Sequence, residues 1–192
     1  MCLQKSQEAY AQGDSATSVM YVQEGKVNLS VVNELGKEAI VAILGPGDFF
    51  GEGCLANQPA RLETASALMP TTVFVIQKSE LMHAIHSDRA FSDHFISCLV
   101  SRKLRTEEDL IDQLFNNSEK RLARVLLRLT GYGKQELPEE ALPNMSQEML
   151  SEMVGTTRSR VNSFMGKFRK LGYIEYEDGL HIKPSLINVL QE

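Results

Sequence analysis

The chain has no tryptophan, only three cysteines, and no apolar segment long enough for a membrane-spanning helix. Such a helix needs about 18 to 20 consecutive apolar residues. Cys2, Cys54 and Cys98 are widely spaced and odd in number, which excludes a disulfide framework and a Cys-x-x-Cys pair. The first residues also lack the apolar core of a secretory signal. These absences predict a cytoplasmic protein with reduced thiols and no membrane partner.

An overall excess of positive charge is also absent, since 20 Lys and Arg residues stand against 25 Asp and Glu residues, a net of -5. The charge is unevenly distributed, with 9 basic and 15 acidic residues up to Phe115 and 11 basic and 10 acidic residues after it. Residues 156–170 hold no acidic residue and five basic ones. These are Arg158, Arg160, Lys167, Arg169 and Lys170. A basic stripe of this kind is typical of a contact with the nucleic-acid backbone.

Two domains fit a chain of 192 residues. In residues 19–77, short apolar segments are separated by turn sequences such as residues 45–48. Within one segment, Val27, Leu29 and Val31 alternate with polar neighbours, as in a strand. Several short strands joined by glycine-rich turns predict a β-sandwich or β-roll. The following residues predict a short helix over 79–86.

A much longer helix is predicted from Arg89 to Phe115. At about 1.5 Å per residue it would extend about 38 Å, more than one small domain requires, so we expect it to bridge two domains or to pair with a second copy of the chain, with dimerisation favoured. The residues predicted to mediate dimerisation follow a near-heptad spacing: Phe95, Leu99, Thr106, Leu110 and Gln113. Ser118 is then expected to cap a helix over 119–130, and residues 131–143 to form a loop or hairpin.

Two further helices are predicted to form a helix-turn-helix. Ser146 is a predicted N-cap for a helix over 147–154, residues 155–156 form a tight turn, and Thr157 is a predicted N-cap for a helix over 158–171. The apolar residues of the second helix recur with helical period and predict one buried face: Val161, Phe164, Met165, Phe168 and Leu171.

The opposite face of the second helix carries Arg158, Ser159, Asn162 and Ser163, and the first turns of such a helix meet base edges. Phosphate contacts are expected from the other cations of the basic stripe. The residues predicted to bind DNA are Ser146, Gln147, Thr157, Arg158, Ser159, Arg160, Asn162, Ser163 and Lys167. Asp178 and Gly179 then separate two short apolar segments as in a type I′ hairpin, which predicts a wing after the helix.

Four segments in this order resemble the bacterial cyclic-AMP receptor protein and FNR family of transcription regulators. They are residues 21–27, residues 44–52, the long helix and residues 147–174. The resemblance implies an α+β protein with an N-terminal β-jelly-roll sensor (1–88), a dimerisation helix and hinge (89–117) and a C-terminal winged helix-turn-helix (118–192). It also implies a homodimer on a two-fold symmetric operator, with RNA polymerase as a further partner and no enzymatic activity.

In the cyclic-nucleotide binders of that family, a Gly-Glu pair and a nearby Arg hold the ribose and the phosphate. Backbone N–H groups and an arginine suit a phosphate, and a carboxylate suits a ribose hydroxyl. The candidate effector residues carried over by this resemblance are Gly51, Glu52, Gly53, Cys54, Arg61, Leu62 and Thr106.

The chain departs from the cyclic-AMP pattern at two places. Leu62 follows Arg61 where a Ser or Thr is usual, and Glu107 follows Thr106 where a hydroxyl residue is usual, so the sequence disfavours cyclic AMP and leaves the effector open. A cyclic-nucleotide-responsive regulator, or a regulator with a vestigial sensor, are the alternatives. The family's usual opening helix and first strand are also expected to be absent or shortened before Ala9.

Other sensor chemistries lack their ligands. Three cysteines cannot supply four thiolates to an iron–sulfur cluster, and the four histidines show no ligand spacing, so no metal site is predicted. A cupin-like enzyme would need histidines on the β-roll strands, which the sequence lacks. An ordinary helical hairpin would leave the basic stripe and the wing unexplained. A protein-interaction module that uses the winged helix without DNA is a further alternative.

Overall fold

The computed structural model describes residues 1–130, 145–176 and 179–191. Within it the chain forms two compact units, Met1–Glu107 and Glu108–Glu192, with the division inside one continuous helix. The predicted limits at 88/89 and 117/118 treat this helix as a separate segment and stay a prediction.

The first unit is a β-sandwich of two four-stranded sheets. One sheet has the order β1-β8-β3-β6 and the other β2-β7-β4-β5, with all described pairings antiparallel. The strands are β1 (Cys2–Leu3), β2 (Glu8–Tyr10), β3 (Ser18–Glu24), β4 (Val27–Val32), β5 (Glu38–Leu44), β6 (Phe49–Phe50), β7 (Thr64–Ala67) and β8 (Thr71–Gln77).

The core between the two sheets contains apolar residues from both. Val22 and Val73 come from the first sheet, and Val27 and Leu29 from the second, and all four are fully buried. Val27 and Leu29 lie two positions apart on β4, so their side chains point to the same face of the sheet, while Asn28 between them is also buried. Two short strands begin the sandwich, since β1 pairs with β8 and β2 pairs with β7. The expectation that the family's opening helix and first strand are absent or shortened stays a prediction.

Two helices follow the sandwich, α1 (Lys78–Ser87) and α2 (Arg89–Phe115). Phe95 is buried in a second cluster with Val19 and Phe49 of the first sheet, and Leu99 packs against this cluster. These two predicted dimerisation residues therefore face their own sheet. The fully helical stretch of 27 residues matches the predicted limits. Among the described residues, no helix has both the length and the apolarity to cross a bilayer.

The second unit holds the end of α2 and a small domain with its own core. Its further elements are α3 (Ser118–Leu129), α4 (Gln147–Val154), α5 (Arg158–Lys170), β9 (Ile174–Tyr176), β10 (Leu180–Ile182) and α6 (Asn188–Gln191). Leu122, Leu126 and Phe168 are fully buried at its centre. The predicted cap of α3 was wrong by one residue, because Asn117 accepts the backbone N–H groups and Ser118 is the first helical residue. The predicted loop over 131–143 lies outside the described residues.

Candidate functional site

The helix-turn-helix forms as the capping residues predict. The Ser146 hydroxyl accepts the backbone N–H of Met149 at 3.1 Å, and Thr157 accepts that of Arg160 at 3.4 Å. Gly155 ends α4 with φ of 66°, a left-handed conformation that favours glycine. Ser146 and Thr157 therefore use their side-chain oxygens to begin the two helices.

One face of α5 anchors it in the core of the second unit. Val161, Met165 and Phe168 are buried, and Phe164 is partly buried. Leu171 was predicted to continue this face, but it is 51% exposed. Helix α5 ends at Lys170, and Leu171 takes the C-cap position after it.

The other face of α5 lies open to solvent. Arg158, Ser159, Asn162 and Ser163 are exposed on it, as is Arg160. A hydrogen bond joins this face to α4, since Gln147 Nε2 donates to Asn162 Oδ1 at 3.1 Å. Gly166 also lies here, and a Cβ at this position would meet no atom within 4 Å. The structure thus brings together eight of the nine predicted DNA-binding residues along α5 and the start of α4.

Lys167, the ninth, lies beside Asn162 and Ser163 on α5 and is paired with a residue of α3. Its Nζ lies 2.7 Å from Oε1 of Glu119, in the first turn of α3. Sequence reasoning missed this pair because 48 positions separate the two residues and no local pattern links them.

A two-stranded wing follows α5. Ile174 pairs with Ile182 and Tyr176 with Leu180 in an antiparallel ladder, and Asp178 of the predicted turn lies outside the described residues. The Arg169 guanidinium lies 5.9 Å from the centre of the Tyr176 ring. Burial raises the pKa of Tyr176 and the nearby Arg169 charge opposes that rise.

In the first unit, the predicted effector residues lie at the turn after β6. Glu52–Ala56 forms a single 3-10 turn, and Gly51 before it has φ of 75°. A Cβ on Gly51 would lie 2.4 Å from Arg61 Nη1, and a Cβ on Gly53 would lie 2.3 Å from Gln58 Oε1. Gly51 is therefore required by its left-handed φ and by the buried guanidinium, whereas the flexible end of Gln58 could move aside at Gly53. We name Gly51–Cys54 together with Arg61 the effector cassette.

Arg61 is directed into the protein and is only 6% exposed. Its Nη1 donates to the Gly51 carbonyl at 2.8 Å, and its Nη2 donates to the Ser18 hydroxyl at 3.1 Å. The guanidinium also lies 4.3 Å from the centre of the Tyr10 ring, while its Nε has no partner. The arginine predicted to meet a ligand phosphate thus makes three contacts with its own chain.

Tyr10 connects the cassette to the next acidic residue. Its hydroxyl donates to Glu63 Oε1 at 2.9 Å. Burial, followed by the negative charge of Glu63, raises the pKa of Tyr10 well above its usual value. Tyr10 therefore stays neutral and contacts both Glu63, through its hydroxyl, and Arg61, through its ring.

Glu52 is paired with a residue that sequence reasoning missed. Arg102 of α2 donates to Glu52 Oε1 at 2.8 Å and to the Phe49 carbonyl at 3.1 Å. The second oxygen of Glu52 is buried and without a partner. The sequence signal that could have identified this partner of Glu52 is the position of Arg102, one helical turn before Thr106 on α2.

The remaining predicted cassette residues differ in exposure. Cys54 is buried, whereas Leu62 is 59% exposed. Thr106 is exposed and donates its hydroxyl hydrogen to the Arg102 carbonyl at 3.0 Å. Within the described residues, no group of three or more His, Cys, Asp or Glu side chains is arranged to hold a metal ion.

Two family models match the two units of the chain. A cyclic nucleotide-binding domain matches residues 2–88, and a Crp-like helix-turn-helix domain matches residues 120–184. The chain belongs to the Crp/Fnr family of transcription regulators.

Curated members of the Crp/Fnr family are similar over most of the chain. A CRP-like cAMP-activated global transcriptional regulator of Mycobacterium tuberculosis is 26% identical over 170 residues, which is 88% of this chain and 76% of that protein. The cyclic AMP receptor protein of Thermus thermophilus is 27% identical over 171 residues, again 88% and 76%. The structure of FixK2 from Bradyrhizobium japonicum has a TM-score of 0.81 at 23% identity and covers 100% of this chain and 94% of that one.

Membership of the Crp/Fnr family establishes the coarse function. The chain is a DNA-binding transcription regulator with an effector-binding type of domain, and it is not an enzyme. This confirms the predicted α+β fold with a β-roll, a long helix and a winged helix-turn-helix.

Proposed function

We propose that this protein is a cytoplasmic homodimer that regulates transcription by binding a two-fold symmetric DNA operator through α5. The observation that carries the proposal is the open face of α5. Arg158, Ser159, Asn162 and Ser163 are exposed in its first two turns, while Val161 and its apolar neighbours fix the opposite face in the core. A helix held in this way can enter a major groove without changing its own packing.

The side chains on α5 suggest separate roles in DNA recognition. Arg158 can donate two hydrogen bonds to O6 and N7 of guanine. Asn162 presents an amide, which suits adenine. Arg160 and Lys170 are exposed beside these residues and suit phosphate oxygens, which position the helix without reading sequence.

The proposed homodimer is supported by a second apolar face of α2. Exposed side chains there include Ile96, Val100, Leu104, Leu110 and Ile111, and each is between 49% and 57% exposed. An apolar stripe of this length on a helix is expected to be covered by a partner. We propose that the second copy covers it with the same stripe, so that Leu110 keeps the predicted role while Phe95 does not.

The ligand of the sensor domain is proposed to be something other than cyclic AMP. Although two relatives are named for cyclic AMP, Leu62 has no donor for a phosphate and Arg61 is already bonded to Gly51 and Ser18. Glu52 is likewise paired with Arg102. These internal contacts favour a second candidate function, a regulator that binds its operator without an effector.

The test is selection of genomic DNA fragments by the purified protein, with and without small molecules from a cell extract. We expect fragments that share one inverted repeat, and dependence on extract would identify an effector-controlled regulator. Enrichment without extract would favour the effector-independent form. Failure to enrich any sequence under both conditions would contradict the proposal, and adding RNA polymerase to a bound fragment would test that expected partner.

A further inference from the structure

One cation of the basic stripe is held by a carboxylate from another helix. Lys167 Nζ lies 2.7 Å from Glu119 Oε1, with the lysine side chain 50% exposed and the glutamate side chain 21% exposed. The contacted oxygen is buried and meets the lysine as an ion pair without hydrogen-bond geometry. The backbone of Glu119 is held at the start of α3, because Asn117 Oδ1 accepts its N–H.

Lys167 lies on the face of α5 that we propose to meet DNA. It lines an open recess together with Asn162, Ser163, Gly166 and Lys170. A lysine at this place would normally be available to a phosphate oxygen. The ion pair with Glu119 holds its ammonium group beside the first turn of α3.

We propose that Glu119 withholds Lys167 from the DNA backbone and thereby limits the affinity of this protein for all DNA sequences. This inference rests on the proposed DNA-binding function. A lysine engaged by a carboxylate releases no counterion from DNA, so each subunit contacts one phosphate fewer than its basic stripe would allow. Base recognition by the first turns of α5 then makes up a larger share of the binding.

The proposal predicts a gain of affinity in the variant Glu119→Gln, which keeps the size of the side chain and removes its charge. Each released lysine should steepen the dependence of log affinity on log salt by about 0.9, or about 1.8 for a dimer. Between 50 and 200 mM salt this corresponds to a roughly twelvefold greater loss of affinity for the dimer than wild type shows. We expect tighter binding to random-sequence duplex at 50 mM salt, with the order of preference among operators unchanged.

A matched control is Glu108→Gln, which removes the same charge from the same unit. Glu108 pairs with Arg128 near the other end of α3, 3.3 Å away. We expect Glu108→Gln to bind DNA with the wild-type salt dependence. The double variant Glu119→Gln/Lys167→Gln should return the salt dependence to the wild-type value, because the released cation is then absent.

The variant Lys167→Gln tests the same ion pair from the lysine side. It can be used if Glu119→Gln lowers the melting temperature. Lys167→Gln alone should leave the wild-type salt dependence unchanged, since the lysine already contributes nothing to it. A slope reduced by about 0.9 per subunit in Lys167→Gln would overturn the inference, as would an unchanged slope in folded Glu119→Gln. Wild-type protein that binds no DNA at low salt would refute the proposed function instead.

Discussion

Replacing Arg61 by alanine should destabilise the β-roll in the absence of any ligand. In a cassette built only for a ligand, the arginine would face an empty pocket and its removal would cost the free protein little. Here only 6% of Arg61 is exposed, and its guanidinium donates hydrogen bonds to the Gly51 carbonyl and the Ser18 hydroxyl. It therefore acts as a structural residue in this conformation.

The magnitude follows from the three contacts of Arg61. Leaving the Gly51 carbonyl and the Ser18 hydroxyl without their donor costs about 1 to 3 kcal/mol each. Losing the guanidinium above the Tyr10 ring costs about 1 to 2 kcal/mol. The alanine variant no longer buries a charged group whose Nε has no partner. This gain offsets several kcal/mol of the loss. We expect a net loss of about 2 to 4 kcal/mol in the free energy of unfolding of the first unit.

Native-state hydrogen exchange measures this loss at the amides of β3, which lie in the sheet beside Arg61. Leu62→Ala is the control, because Leu62 is the adjacent residue and is 59% exposed. We expect it to change the exchange free energy by less than about 0.5 kcal/mol. If Arg61→Ala had an equally small effect, Arg61 would be free for a ligand and our reasoning about the cassette would be refuted.

Three further predictions concern single side chains. Arg158→Ala should weaken operator binding by about 1 to 3 kcal/mol and relax base preference at one position, measured by titration of a set of single-base operator variants; uniform weakening across the set would contradict a base contact. Thr157→Ala should destabilise the second unit by about 0.5 to 2 kcal/mol through loss of the α5 cap, measured by urea unfolding, with the exposed Ser159→Ala as control. Tyr10 has a raised pKa in the folded state, so its stabilising contribution is complete below the usual pKa of 10.0 and is lost as the pH rises above it. Tyr10→Phe should therefore lose less stability than wild type between pH 9 and pH 11, and equal losses would show that another group controls the alkaline transition.

The helix-turn-helix was predictable from the sequence because its signals are local. Ser146, Gly155 and Thr157 occupy the cap positions that their side chains or backbone freedom favour, and the helix limits agree to within one residue. Asn117 shows the limit of this reasoning, since Asn117 and Ser118 both suit an N-cap and only the backbone path decides between them.

The contact faces of α2 could not be predicted in the same way. Its apolar residues form two stripes, one containing Phe95 and Leu99 and the other Ile96 and Val100. Helical periodicity identifies each stripe but does not say which one packs on the sheet. The same applies to Arg61, whose partners Gly51 and Ser18 come from distant positions brought together by sheet pairing.

The close fit between Gly51 and Arg61 has a consequence for how such sequences change over generations. A side chain at Gly51 would collide with the guanidinium, and loss of the guanidinium would leave the Gly51 carbonyl unbonded. Selection for a stable fold alone would then keep both residues in place after a ligand had been lost. The glycine and arginine of this motif can thus persist as a record of an ancestral ligand in a descendant that no longer binds it.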